Sequence, residues 1–227
     1  MKKQNLLISP LVIISLLIVF ISSCEKEEEN PTNSFTDPRD GNVYKIVTIG
    51  DQVWMAENLK YLPSVVGIAT SSETTPCYYV YDYNDTSVTE AKNTTNYITY
   101  GVLYNWEAAK AACPEGWHLP SDEEWTQLTD YLGGDTIAGG KLKETDTTHW
   151  KSPNIDATNE SGFNALPGGV CITNHKFDDI GREAAWWSST ERETTSVYYR
   201  LIFSFSGEML RFGNYKHYAY SVRCIKD

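Results

Sequence analysis

The chain has 227 residues with 19 basic and 30 acidic side chains, a net charge of −11 and a pI near 4.8. A hydrophobic content of 41% supplies one good core and hardly a second. Nucleic acid is a poor partner for so acidic a surface, because affinity there comes largely from Lys and Arg on phosphates.

The first predicted element is an export signal. Lys2 and Lys3 precede an apolar run from Leu6 to Ile21, broken by Pro10 and followed by "ISSC". A basic start, a short apolar stretch and small residues make residues 1–23 a signal peptide. The run is shorter than the ~20 residues that span a bilayer, which weighs against an uncleaved anchor. "ISSC" resembles a bacterial lipobox, which implies cleavage before Cys24 and acylation of that residue. Several acyl chains on one cysteine hold firmly to a membrane. "EKEEENPTNSFTDP" is too polar to fold alone, so residues 24–39 read as the lipidated cysteine and a disordered acidic tether. The acidic run is similar to the surface-export signal of Bacteroidetes-type lipoproteins. The expected location is therefore the outer membrane with the domain facing the exterior, the alternative being a periplasmic domain on a plain linker.

The folded domain is expected over residues 40–227. "VYKIVTI" and "QVWMAENL" flank Gly50–Asp51 as a hairpin. Residues 61–99 read as a polar excursion with one short strand at "CYYVY". In "GVLYNWEAAKAAC", Trp106, Ala109 and Cys113 share a helical stripe that Pro114 and Gly116 end. Ser121 and Glu124 form an S-x-x-E capping box for a second helix, with Trp125, Leu128 and Leu132 buried and Gly133–Gly134 as its stop. Residues 135–169 read as loop. Strands follow at "AAWWSST" and "SVYYRLIFSF", the latter turning at Ser206–Gly207 into "EMLRF". The final strand "HYAYSVRCI" places Tyr218, Tyr220, Val222 and Cys224 on one face.

Four cysteines follow Cys24, and in an exported chain they allow up to two disulfides in three pairings. Cys113 and Cys224 both face a core and are expected to pair, leaving Cys77 and Cys171 as a second candidate pair.

"GVLYNWEAAKAACPEGWHLPSDEEW", "SGFNALPGG", "WWSSTE" and "SVRCIKD" together resemble the Fibrobacter succinogenes major paralogous domain, a bacterial surface-lipoprotein family, from about Asp40 to the end. The layout is similar to the C-type-lectin-like fold, shared with formylglycine-generating enzymes. The resemblance implies an α+β domain: two helices packed on short antiparallel strands with long loop excursions. The Cys113–Cys224 bridge also matches the lectin-like pattern.

No catalytic constellation stands out. His118 lies far in sequence from His149, His175 and His217, with no H-x-H, HExxH or C-x-x-C, and reads as a packed or capping side chain. There is no G-x-S-x-G elbow, and Ser188–Ser189 lie in a buried strand. Asp82, Asn84 and Asp85 in "YDYND" are weak calcium candidates without the glycine and distal glutamate of an EF-hand loop, so calcium is the one cofactor left open. The E-P-N and W-N-D elements of calcium-dependent sugar-binding lectins are lacking, since "SPN" at Ser152–Asn154 has no acid. Formylglycine generation needs two reactive cysteines close in sequence, whereas Cys171 and Cys224 lie far apart.

The 7 tryptophans and 15 tyrosines are the positive signal, since flat rings with a polar edge suit stacking on sugars or anchoring a protein. A loop-borne site is expected where residues 146–160 meet the 78–85 stretch, formed by Tyr81, Tyr83, Trp150, Asn154, Asp156 and Asn159. The expected function is a non-catalytic binding or adhesion module for a glycan or a surface protein. The alternatives are an enzyme related to the formylglycine-generating group and a structural subunit of a surface assembly.

Overall fold

The computed structural model describes residues 33–172 and 176–227. The signal segment 1–23, Cys24, the tether as far as Thr32, and His175 lie outside the described residues.

The described part is one compact unit beginning at Asn33. Strand β1 (Ser34–Thr36) pairs antiparallel with β2 (Val43–Ile49), which turns at Gly50–Asp51 into β3 (Gln52–Met55). Gly50 sits at φ +61°, where a side chain would be strained and would press on the Tyr131 ring. Residues 34–36, expected in the disordered tether, are thus an edge strand. Phe35 packs 5.3 Å from the Trp117 ring, and the fully buried Asp37 is held by Arg39 at 2.7 Å.

The polar excursion holds more structure than its composition suggests. It contains β4 (Tyr78–Tyr79), α1 (Val88–Lys92) and α2 (Thr95–Tyr100). Ser87 caps α1 by accepting from the Glu90 amide, and Thr94 caps α2 by accepting from the Tyr97 amide.

Next come β5 (Leu103–Asn105), α3 (Trp106–Ala109), β6 (Trp117–His118), α4 (Asp122–Tyr131) and α5 (Asp135–Leu142). The helix expected from "GVLYNWEAAKAAC" is a single turn. The Asn105 side chain accepts from the Ala108 amide, so the helix starts only at Trp106, and the buried Leu103 and Tyr104 pair with neighbouring strands instead. The predicted capping box is present in α4: Ser121 Oγ accepts from the Glu124 amide at 3.1 Å, and Glu124 Oε2 from the Ser121 amide at 2.7 Å. Helix α5 was unexpected, because two of its residues are glycines. Those glycines let it pack backbone on backbone: a Cβ at Gly139 would fall 2.3 Å from the Glu208 carbonyl oxygen.

The last third is strand: β7 (Val170–Ile172), β8 (Lys176–Asp178), β9 (Glu183–Glu193), β10 (Ser196–Phe203), β11 (Leu210–Tyr215), β12 (Ala219–Tyr220) and β13 (Ile225–Lys226). They complete three antiparallel sheets, ordered β1-β2-β3-β13-β6, β11-β10-β9 and β4-β5-β12-β7-β8. The "final strand" is split between two sheets, yet Tyr220, Val222 and Cys224 share one cluster with Tyr218 packed on it, as its alternation requires.

The α+β, C-type-lectin-like expectation of two helices on short strands is therefore corrected. The molecule is mostly β, with five short helices among the described residues, none longer than ten residues. All seven tryptophans are buried. Trp54, Trp125, Trp186 and Phe163 form one aromatic core, with Trp54 and Trp125 centroids 4.7 Å apart.

Cys113 and Cys224 form the expected disulfide across 111 residues, with Cα atoms 5.9 Å apart. Cys77 and Cys171 are not paired; both are free and buried. The Asn105 amide donates to the Cys77 carbonyl, Asn105 faces Ala219, and Ala219 faces Cys171. Two strands thus stand between the thiols, a span of ~14 Å at sheet spacing against the ~7 Å limit for a bridge.

Candidate functional site

Helix α2 and the 147–152 loop enclose an open cavity of about 610 Å³. Thr95, Asn96, Thr99 and Tyr100 come from the helix; Thr147, Thr148, His149 and Lys151 come from the loop; Ile180 and Gly181 close one end. A second cavity of about 310 Å³ adjoins it and is lined by Glu57, Asn58, Lys60, Ile98, Asn164 and Leu166. Both cavities include Thr99 and His149, so they form two lobes of one groove pinched at that pair. Their sizes fall in the range of small-molecule sites.

The walls are held by buried polar contacts. Asn58 Nδ2 donates to the Tyr100 carbonyl at 3.1 Å, fixing the end of α2, while its Oδ1 accepts from Trp186 Nε1 and from Arg223. The Arg223 guanidinium is fully buried over the Phe163 ring, and burial lowers its pKa to about 9 against the opposing pull of Glu57. On the loop side, His149 Nδ1 meets both Glu144 carboxylate oxygens at 2.8–2.9 Å, and the Tyr100 ring stands edge-on to His149 at 5.9 Å. Burial, then Glu144, raises the Tyr100 phenol above its ordinary value, so it stays protonated at neutral pH.

The structure only partly gathers the sequence-predicted residues here. Trp150 belongs to the cleft wall but offers no open ring face: it is 1% exposed and donates Nε1–H to the Ala165 carbonyl. Asn154 is buried and spends its amide on the Glu144 and Asp146 carbonyls, which shapes the loop from behind. Asp156 adopts φ +58° beside Gly140 and Gly207, and Asn159 bonds Asn164; both are loop-forming residues outside the groove lining. Tyr81 packs on Phe177 with the rings tilted and 5.0 Å apart, and its carbonyl accepts from Asn96, so it supports the α2 wall. Tyr83 donates to the Ser87 carbonyl and packs at the start of α1. The expected meeting of residues 146–160 with 78–85 is thus indirect, through Asn96 of α2.

Of the calcium candidates, Asp82 adopts a left-handed backbone conformation at φ +62°. Asn84 Oδ1 accepts from the Ile68 amide and Asp85 Oδ1 from the Thr86 amide. Among the described residues no group of three or more His, Cys, Asp or Glu side chains gathers as a metal site. His118 bridges Asp227 at 2.6 Å and Glu124 at 2.9 Å, tying β13 to the α4 capping box. Of the thiols that formylglycine-type chemistry would use, Cys224 is in the disulfide and burial pushes Cys171 up to about 12, far from a reactive thiolate.

The α2 residues escaped the sequence reading, although a signal was there. Ser87 and Glu90 repeat the S-x-x-E spacing, and Thr94 stands at a cap position six residues before Tyr100. Comparison with curated proteins and with solved structures finds no match. A sequence model described as the Fibrobacter succinogenes major domain matches residues 47–226, and the chain belongs to that family.

Proposed function

We propose that this chain is a lipid-anchored surface module that binds an external ligand, a glycan or a segment of another surface protein, in the two-lobed groove. The observation that carries the reading is the groove itself: an open cleft of about 610 Å³ walled by threonine hydroxyls, an asparagine amide and a tyrosine–histidine edge. Short hydroxyl and amide side chains on a preset wall suit a polyhydroxylated ligand, since each ligand hydroxyl needs both a donor and an acceptor. Between the two ligand classes, that lining favours a glycan. The lipobox-like "ISSC" and the acidic run after Cys24 support attachment through a lipid on Cys24 to the outer membrane, with the domain facing outward.

A glycan array and a pull-down from a cell-surface protein fraction, both with the full chain, test the reading. Saturable binding on either supports it. Silence on both, with the protein shown to be folded, removes it.

A further inference from the structure

The lining of the larger lobe departs from the charge of the whole chain. The sequence carries 30 acidic against 19 basic residues, yet no carboxylate lines this lobe, while Lys151 and His149 do. The two carboxylates just before the loop are engaged by its own residues: Glu144 accepts from His149 Nδ1, and Asp146 Oδ1 accepts from the Thr148 amide at 2.7 Å.

Lys151 is laid along the wall. Its amide donates to the Gly181 carbonyl at 2.7 Å, and its stem passes where a Gly181 side chain would stand, 3.2 Å from its Cγ and 3.3 Å from its Cε. No carboxylate among the described residues pairs with its ammonium. The His149 ring is fixed through Nδ1, which leaves Nε2 as its remaining polar atom at the junction of the two lobes.

We infer that the groove takes an acidic saccharide, a uronic-acid-bearing chain, with its carboxylate at Lys151 and its ring hydroxyls on the threonine and asparagine walls. This rests on the glycan reading above and narrows it. Lys151 is exposed, so beside a neutral chain its ammonium stays hydrated and contributes no attraction. An acidic chain supplies a counter-charge and meets no carboxylate lining that lobe, while in the smaller lobe it meets both Glu57 and Lys60. Because the two lobes adjoin at Thr99 and His149, the ligand is an oligosaccharide running past His149 rather than a single sugar.

The full chain, solubilised in detergent, is titrated with hexamers of galacturonic acid and of galactose at low and high salt. Expected is a preference of roughly two- to fivefold for the acidic hexamer at low salt, the size of one exposed ion pair, shrinking as salt rises. Lys151→Met removes the preference for the acidic hexamer over the neutral one, and Lys151→Glu reverses its sign. Equal affinities, or a preference that survives Lys151→Met, overturn the inference while leaving the glycan reading in place. Failure of both hexamers to bind also overturns it, and the wider array then decides the glycan reading separately.

Discussion

Glu183 opens β9 with its side chain nearly buried, and among the described residues no basic side chain answers it. Burial, then Asp179 and Asp178, raises its pKa to about 7. The folded carboxyl therefore holds a proton that the unfolded chain, at about 4.3, releases earlier. The stability it contributes is full below the unfolded value and is lost as pH rises through about 7. Glu183→Gln should match the wild type in urea melts at pH 4 and exceed it at pH 8 by up to about 3 kcal/mol; identical curves at pH 8 would refute the assignment. His118 acts in the same direction. Burial lowers its pKa, but the bonds to Asp227 and Glu124 outweigh that and raise it, so the tie between β13 and α4 weakens as pH rises through the raised value. Lys143 shows the other use of a buried charge: its ammonium donates to the Ile155, Phe203 and Ser206 carbonyls, pinning the 155 loop to the β10–β11 turn, and burial lowers its pKa to about 8 against the opposing effect of Asp156.

At the scale of elements, the hairpins and the capped α4 were legible because each rests on a local rule: a Gly-Asp turn, an alternating run, a Ser-x-x-Glu box. What escaped depends on distant partners. Helix α5 carries two glycines, and only the backbone of Glu208 and Asp156 against it explains them. Residues 34–36 look like tether until β2 offers an edge and Trp117 a ring to cover. A chain beginning at Asp40 should therefore melt at a lower temperature than one beginning at Asn33, and equal melting temperatures would show that β1 adds nothing. The disulfide joins the segment after α3 to the β12–β13 segment across 111 residues, where chain-entropy reasoning assigns about 4–5 kcal/mol. Replacing Cys113 and Cys224 together by serine should lower the unfolding free energy by about that amount in denaturant titrations. A loss below ~1 kcal/mol would mean that the reduced chain keeps the two segments together by packing alone.

For the whole molecule, the division of labour between rings and loops differs from the one its composition suggested. The tryptophans build the core, and the groove is walled by short polar side chains on α2 and the 147–152 loop. Loop residues 154, 156, 159 and 164 hold left-handed backbone conformations, three of them asparagine, as expected where chain direction must reverse without glycine. The most direct test of the groove as the recognition site is Thr99→Trp, because Thr99 lines both lobes and an indole there obstructs their junction. Measured on the same array and pull-down as the wild type, the variant should lose binding at least tenfold while its melting temperature stays unchanged. Undiminished binding by a folded Thr99→Trp protein would place recognition elsewhere on the surface and contradict the account.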